Sequence, residues 1–257
     1  MATIEAITRP AATSTTSVDQ LSLPSLVALS LVPGALVTAS FVAAAPLTEA
    51  LGFPPISALL ASIVLVLVPL ELGVVLWAGR GQGGALAAVP YRQSMPLRRW
   101  LWLVPTLIVL AFLGFGLHMP IEPTLIDGLF GWLPGWFVAP IDPDRDGDFT
   151  RNAWIVTIAA YVAINGLLGP IVEELYFRGF LLPRMERFGR WAPLLNVTLF
   201  SLYHFWSPWQ LIARIVGIGP TVYAVRATRN VWLGAVVHCS LNTLGVLLVA
   251  MLVFGRL

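Results

Sequence analysis

Lysine is absent from this chain: all fifteen basic residues are arginine, a bias that points to a GC-rich genome more than to a mechanism. Cysteine occurs once, at Cys239, which excludes an internal disulfide framework and a multi-cysteine zinc site. Charge of either sign is scarce. Only 11% of the 257 residues are charged, against about 25% in an ordinary soluble domain. The formal net charge of +2 is too small to imply a nucleic-acid partner. There is no internal repeat.

What fills the chain instead is hydrocarbon: 58% of residues are hydrophobic and the mean hydropathy is +0.83. The composition predicts an all-α, polytopic bundle of transmembrane helices. A spanning helix needs about 20 mostly apolar residues. Seven stretches qualify or come close: 23–46, 55–78, 100–117, 153–182, 191–206, 209–225 and 231–254. The fifth and sixth are short and are separated only by Ser207-Pro208. Residues 1–20 are polar, with a Thr/Ser cluster, and are expected to form a disordered cytoplasmic N-terminus. Helices follow over 21–117, then an acidic extracytoplasmic loop over 118–152 and a last helical region over 153–257. Ala43-Ala44-Ala45 could mark a signal-peptide cleavage site, but the apolar run before it is too long for a typical signal and only Arg9 precedes it.

Arginine placement orients the spans. Arg80, Arg92, Arg98 and Arg99 follow the second stretch, Arg184, Arg187 and Arg190 the fourth, and Arg226 and Arg229 the sixth. With seven spans these three connections share one side, which is predicted to be the cytoplasm. Residues 118–152, on the other side, carry Glu122, Asp127, Asp142, Asp144, Asp146 and Asp148. The protein is therefore expected in the cell membrane with its N-terminus cytoplasmic.

Ionisable groups inside spans are costly and usually face a protein interior or a water-filled cavity. In the second half of the chain they are Glu173, Glu174, Arg178, His204, Arg214 and His238, with Asn165, Asn196 and Asn242 as neutral companions. Glu174 and Arg178 are four apart and share a helix face, so they can pair. Glu173 points elsewhere and is left free for chemistry. His238 and Asn242 are also four apart, as are Phe200 and His204. One carboxylate, two imidazoles and an amide from three helices make a hydrolytic set: the carboxylate takes a proton from water, and His and Asn stabilise the oxyanion. Taken singly, the same residues could lock helices together or link them by hydrogen bonds. Arg214 and Glu71 fit no motif and are expected to be helix-packing or cavity residues.

Three motifs carry a resemblance. "EELYFRG" at 173–179 resembles the E-E-x-x-x-R signature of the CPBP family, the CAAX proteases and bacteriocin-processing enzymes also called Abi proteins. "FSLYH" at 200–204 is similar to its F-x-x-x-H motif, and "HCSLN" at 238–242 to its closing H-x-x-x-N. Their order matches, over about 153–244. The resemblance implies an all-helical intramembrane endopeptidase acting on a peptide or membrane-protein substrate in the lipid bilayer. It makes Glu173 the water-activating carboxylate, completed by His204, His238 and Asn242 and supported by Glu174, Arg178 and Phe200. Glu173, His204 and His238 would also offer three ligands to Zn²⁺ with an open position for water, so metal-assisted and metal-free forms both stand. Helix rise puts Glu173 roughly 15 Å from Pro183 and His204 roughly 21 Å from Arg190, a mismatch in depth. The site is expected to open toward the cytoplasm.

No H-E-x-x-H, no G-x-S and no intramembrane Asp supports another intramembrane protease class. A transporter or proton-coupled membrane protein could use the same carboxylates and histidines, though no repeated half-structure is visible. In the acidic loop, Asp142, Asp144, Asp146 and Asp148 reproduce the start of a calcium loop, but Ala153 stands where the bidentate Glu belongs. The neighbouring "LIDGLFGWLPGWFV" reads as an interfacial segment with its tryptophans at the headgroups. The orientation is testable by labelling. In a Cys239→Ser background, a cysteine at Ser94 should react only from the cytoplasm and one at Thr124 only from outside; the reverse pattern would invert the topology.

Overall fold

A helix that is apolar all round has no stripe to bury and is stable only where lipid or other helices cover every face. That pattern recurs along this chain. The computed structural model describes residues 18–80, 83, 84, 86–142 and 148–255. Within these, α1 is Leu23–Ala50, α2 is Ile56–Gly79 and α3 is Leu97–His118. Helix α4 covers 151–181 and continues through a tight helical segment, Leu182–Trp191, into α5, Ala192–Tyr203. Helices α6, Leu211–Thr228, and α7, Val231–Phe254, follow. No strand occurs among the described residues, apart from an isolated bridge between Arg92 and Asn230.

Five stretches are long and apolar enough to cross a membrane: α1, α2, α3, the continuous run Arg151–Tyr203, and α7. This is a multi-pass membrane protein. The expected count of seven does not follow from helix length, because α5 has 12 residues and α6 has 18 with Arg214 and Arg226 among them. Side chains such as Leu65, Leu101 and Met251 point outward, as lipid contact requires.

The expected end of the fourth helix at Leu182 is also revised. Pro183 reads as a terminator but sits near the start of the tight segment, where a missing N–H costs little. The chain turns back only at Gly189, whose φ of 53° and ψ of −131° are open to glycine and strained for other residues.

At this end the connections knit together. Tyr91 donates to Glu186, which pairs with Arg226 at 2.6 Å. Burial and that carboxylate hold the Tyr91 phenol above its usual range. Arg184 donates to the Ala88 carbonyl at 3.2 Å. Gln20 bonds Pro183 and Arg187, and Leu21 bonds Arg184; residues 18–20 are therefore tied down, while 1–17 lie outside the described residues.

At the opposite end, the region expected as a loop contains short helices at Glu122–Leu125 and Gly135–Val138. Phe137 is buried against Phe41 of α1 and Trp209, so this segment folds into the bundle instead of lying wholly at the headgroups. Trp132 alone of its tryptophans is fully turned outward. Asp144 and Asp146 of the calcium-like loop lie outside the described residues.

Helices α3 and α6 meet at Gly114 and Gly217: a Cβ on Gly114 would stand 2.8 Å from the Gly217 Cα. Gly114→Leu should therefore cost about 1–3 kcal/mol through overpacking and lower the melting temperature in detergent. Gly116→Leu, facing open space, should leave it nearly unchanged.

Candidate active site

Glu173 closes a regular turn of α4, Gly169–Glu173, and Glu174 opens a widened one, Glu174–Leu181. Such π-type turns are rare and frequent at functional sites. Both neighbouring carboxylates are buried, and they serve different partners. Glu174 Oε1 lies 3.2 Å from Arg178 Nη1 and 3.1 Å from His238 Nδ1. The Arg178 guanidinium has no exposed surface and stacks 4.0 Å from the centre of the Phe200 ring. Gly234 of α7 makes room for the other oxygen: a Cβ there would collide with Glu174 Oε2.

Glu173 faces the opposite way. Its Oε1 accepts from the Tyr203 hydroxyl at 3.0 Å and lies 3.9 Å from His204 Nε2, while Oε2 lies 3.9 Å from His238 Nε2. His204 Nδ1 is 2.8 Å from the Phe200 carbonyl oxygen. In both neutral rings Nδ1 faces an oxygen acceptor and so carries the proton, which leaves Nε2 as an acceptor toward Glu173. Three acceptors thus converge from α4, α5 and α7 on one point. A water there, with two O–H donors, can bridge two of these three acceptors at a time.

The depth mismatch disappears with the bend at Gly189, which lies sixteen residues after Glu173 (189 − 173) and fifteen before His204 (204 − 189). The two arms differ by one residue.

Asn242 is engaged differently from the expectation. Its Nδ2 donates to the Asn165 carbonyl at 2.9 Å, within the widened turn Val162–Leu168. Thr243 and Cys239 reach the neighbouring carbonyls of Gly166 and Leu167. A widened turn leaves carbonyls without helical partners, and one face of α7 supplies the donors. One amide N–H of Asn242 remains for another acceptor.

These groups line a cavity of about 350 Å³. From Glu173, His204, His238 and Asn242 it extends past Arg214 to Glu122, Val138, Pro140 and Gln210. No residue of the arginine-bearing connections lines it. The expected opening toward that end is therefore not found; the cavity runs toward the acidic end, where Glu122, Val138 and Pro140 line it.

One residue escaped the sequence reading. Tyr203 lies inside the second motif, where an aromatic reads as cavity wall. Glu71 of α2, expected as a helix-packing or cavity residue, is fully buried, and its near neighbours are Glu173, Tyr203 and Arg178. Among the described residues no group of three or more His, Cys, Asp or Glu side chains is arranged to hold a metal ion. The two 3.9 Å separations exceed the about 3.3 Å between donors on tetrahedral zinc.

Residues 154–244 match the family described as type II CAAX prenyl endopeptidase Rce1-like. This segment is similar to Rce1-like domains. It matches the CAAX/CPBP family to which the three motifs pointed. The matched segment runs from within α4 into α7 and holds Glu173, Tyr203, His204 and His238, while Glu71 lies outside it. No curated protein and no solved structure matches the chain.

The matched segment's internal ion pair is testable directly. Arg178→Ala leaves Glu174 buried without its cation and should destabilise the protein by about 3–5 kcal/mol, read as loss of folded protein in detergent. Gly234→Ala, by displacing Glu174 and hence His238, should cut peptide cleavage on the order of a hundredfold. Gly245→Ala, with open space around it, should not.

Proposed function

We propose that this protein is an intramembrane endopeptidase of the CAAX type, with Glu173 as the group that activates water. The observation that carries this reading is the convergence of His204 Nε2 and His238 Nε2 on the Glu173 carboxylate, 3.9 Å each, inside a cavity of a segment similar to Rce1-like domains. Water held among the three acceptors gives a proton to Glu173 as its oxygen attacks the scissile carbonyl carbon. The carbonyl becomes an oxyanion, and the free N–H of Asn242 is the donor assigned to it. Collapse breaks the C–N bond, and the proton on Glu173 passes to the leaving amine. Peptide and water become acid and amine, and Glu173 is ionised again.

The remaining groups hold this arrangement. Tyr203 fixes one oxygen of Glu173. Glu174 orients His238 through Nδ1, as the orienting member of a base pair does in other hydrolases, and Arg178 pairs with Glu174. The widened ligand spacing supports the metal-free form, so no step is routed through a metal. The arginine-bearing end is assigned to the cytoplasm of the cell membrane. The substrate is a peptide or membrane protein whose scissile bond enters the cavity.

Glu173→Ala, His204→Ala and His238→Ala should each abolish cleavage of a peptide substrate while the protein still inserts and elutes as folded in detergent. Asn242→Ala should lower turnover roughly a hundredfold, the typical effect of removing an oxyanion donor. Activity should survive exhaustive chelation. Near-wild-type cleavage by Glu173→Ala would end the assignment. Stoichiometric zinc in active protein, lost with activity on chelation and restored with it, would replace the metal-free mechanism.

A further inference from the structure

A peptide that is to be cut presents an extended backbone, whose N–H and C=O groups lose their hydrogen bonds wherever hydrocarbon surrounds them. It reaches Glu173 only along a route that offers water or polar partners. The two ends of the bundle differ sharply in this respect. Between Glu173 and the arginine-bearing connections the helices are tightly packed. Phe177, Leu181, Leu182 and Met185 before the Gly189 bend, and Ala192 and Val197 after it, have no exposed surface. Toward the other end the cavity wall is polar. Glu122, Ser207 and Gln210 line it there with Val138 and Pro140, and all of these are only partly buried.

The polar groups of this rim are organised. Gln210 donates to Glu122 Oε1 at 3.1 Å and accepts from Arg214 at 3.0 Å. Ser207 accepts from Arg214 through both its carbonyl and its hydroxyl. These bonds run from α6 to the short helix Glu122–Leu125 and keep hydrogen-bonding groups along the route to Glu173. Charge then says which side of the membrane the rim faces. Arg80, Arg92, Arg98, Arg99, Arg187 and Arg190 are exposed at the packed end, and an excess of arginine marks the cytoplasmic side. The rim belongs to the opposite end, whose connection carries Glu122, Asp127, Asp142 and Asp148.

We infer that the substrate enters from the extracytoplasmic face, past the rim of Glu122, Val138 and Pro140, and that its class is peptide segments exposed outside the cell membrane. This inference rests on the endopeptidase reading and on the arginine orientation, and it deepens them by naming the side on which substrate is met. A chain whose cleavable end lies in the cytoplasm faces the packed end and is not reached.

The test uses the full-length protein in a Cys239→Ser background, reconstituted into sealed proteoliposomes in both orientations. A quenched fluorogenic peptide with charged ends, unable to cross the bilayer, is supplied outside. A bulky impermeant maleimide supplied outside to Val138→Cys or Glu122→Cys protein should abolish the cleavage that the same variant showed before treatment. The same reagent on Ser94→Cys protein, at the arginine-bearing end, should leave its cleavage unchanged. Accessibility gives a readout that needs no catalysis. Leu241→Cys, on the cavity wall one helical turn from His238, should react with a small charged thiol reagent supplied outside intact cells, and should not react in inside-out vesicles. Cleavage that survives treatment of both rim variants, or that is lost on treatment of Ser94→Cys, would overturn the inference. So would labelling of Leu241→Cys from the cytoplasmic side. If the detergent-solubilised protein does not cut the peptide, the endopeptidase reading fails on that substrate, and the Leu241→Cys labelling still decides the face to which the cavity opens.

Discussion

The rest of the site depends on one buried ion pair, Glu174 with Arg178. Each ion loses several kcal/mol of hydration on leaving water, a cost that their mutual attraction offsets. Their 3.2 Å contact spans a widened turn of α4, and a third group, His238 Nδ1, is fastened to the same oxygen. The pair thereby carries α7 with it. Phe200 adds the aromatic face on which Arg178 rests, and this brings α5 into the same cluster. Three helices are registered against one another by a charge that none could bury alone.

The two adjacent glutamates serve different partners because consecutive helical residues leave the axis about 100° apart. A side chain on the regular turn and the next one on the widened turn leave the axis in different directions. The His238 ring lies between the two carboxylates, bonded through Nδ1 to one and facing the other through Nε2. An imidazole held this way has one tautomer and one orientation. The same logic of unpaired groups operates at Val162–Leu168, where three α7 side chains donate to three carbonyls.

The apolar runs and the ordered motifs made the helices and most of the site readable from sequence: Glu173, His204 and His238 meet as their spacing implies. What was not readable depends on the path of the chain between motifs. Pro183 gives a stop signal, yet the chain stays helical to Gly189, and only that extension equalises the depths of Glu173 and His204. Tyr203 sits among apolar residues and looks like packing until Glu173 is brought within 3.0 Å. Asn242 finds its partner on a main-chain carbonyl freed by a widened turn, and such turns have no sequence signature. Glu71 and Arg214 belong to no motif, so only the fold could connect them with the site.

Helix α5 stops after twelve residues. Beyond it the chain runs through His204–Gln210 as turns within the bundle, with the carbonyls of Ser207 and Trp209 satisfied by Arg214 and His118. Irregular backbone at such depth is tolerated only inside protein or beside water. By ending early, α5 exchanges about half a membrane thickness of hydrocarbon for a polar recess. Hydrolysis consumes one water for every bond cut, and here that water can be supplied from the same side as the recess. The proposed hydrolysis would then draw its water along a polar path bounded by Glu122, Gln210 and Arg214.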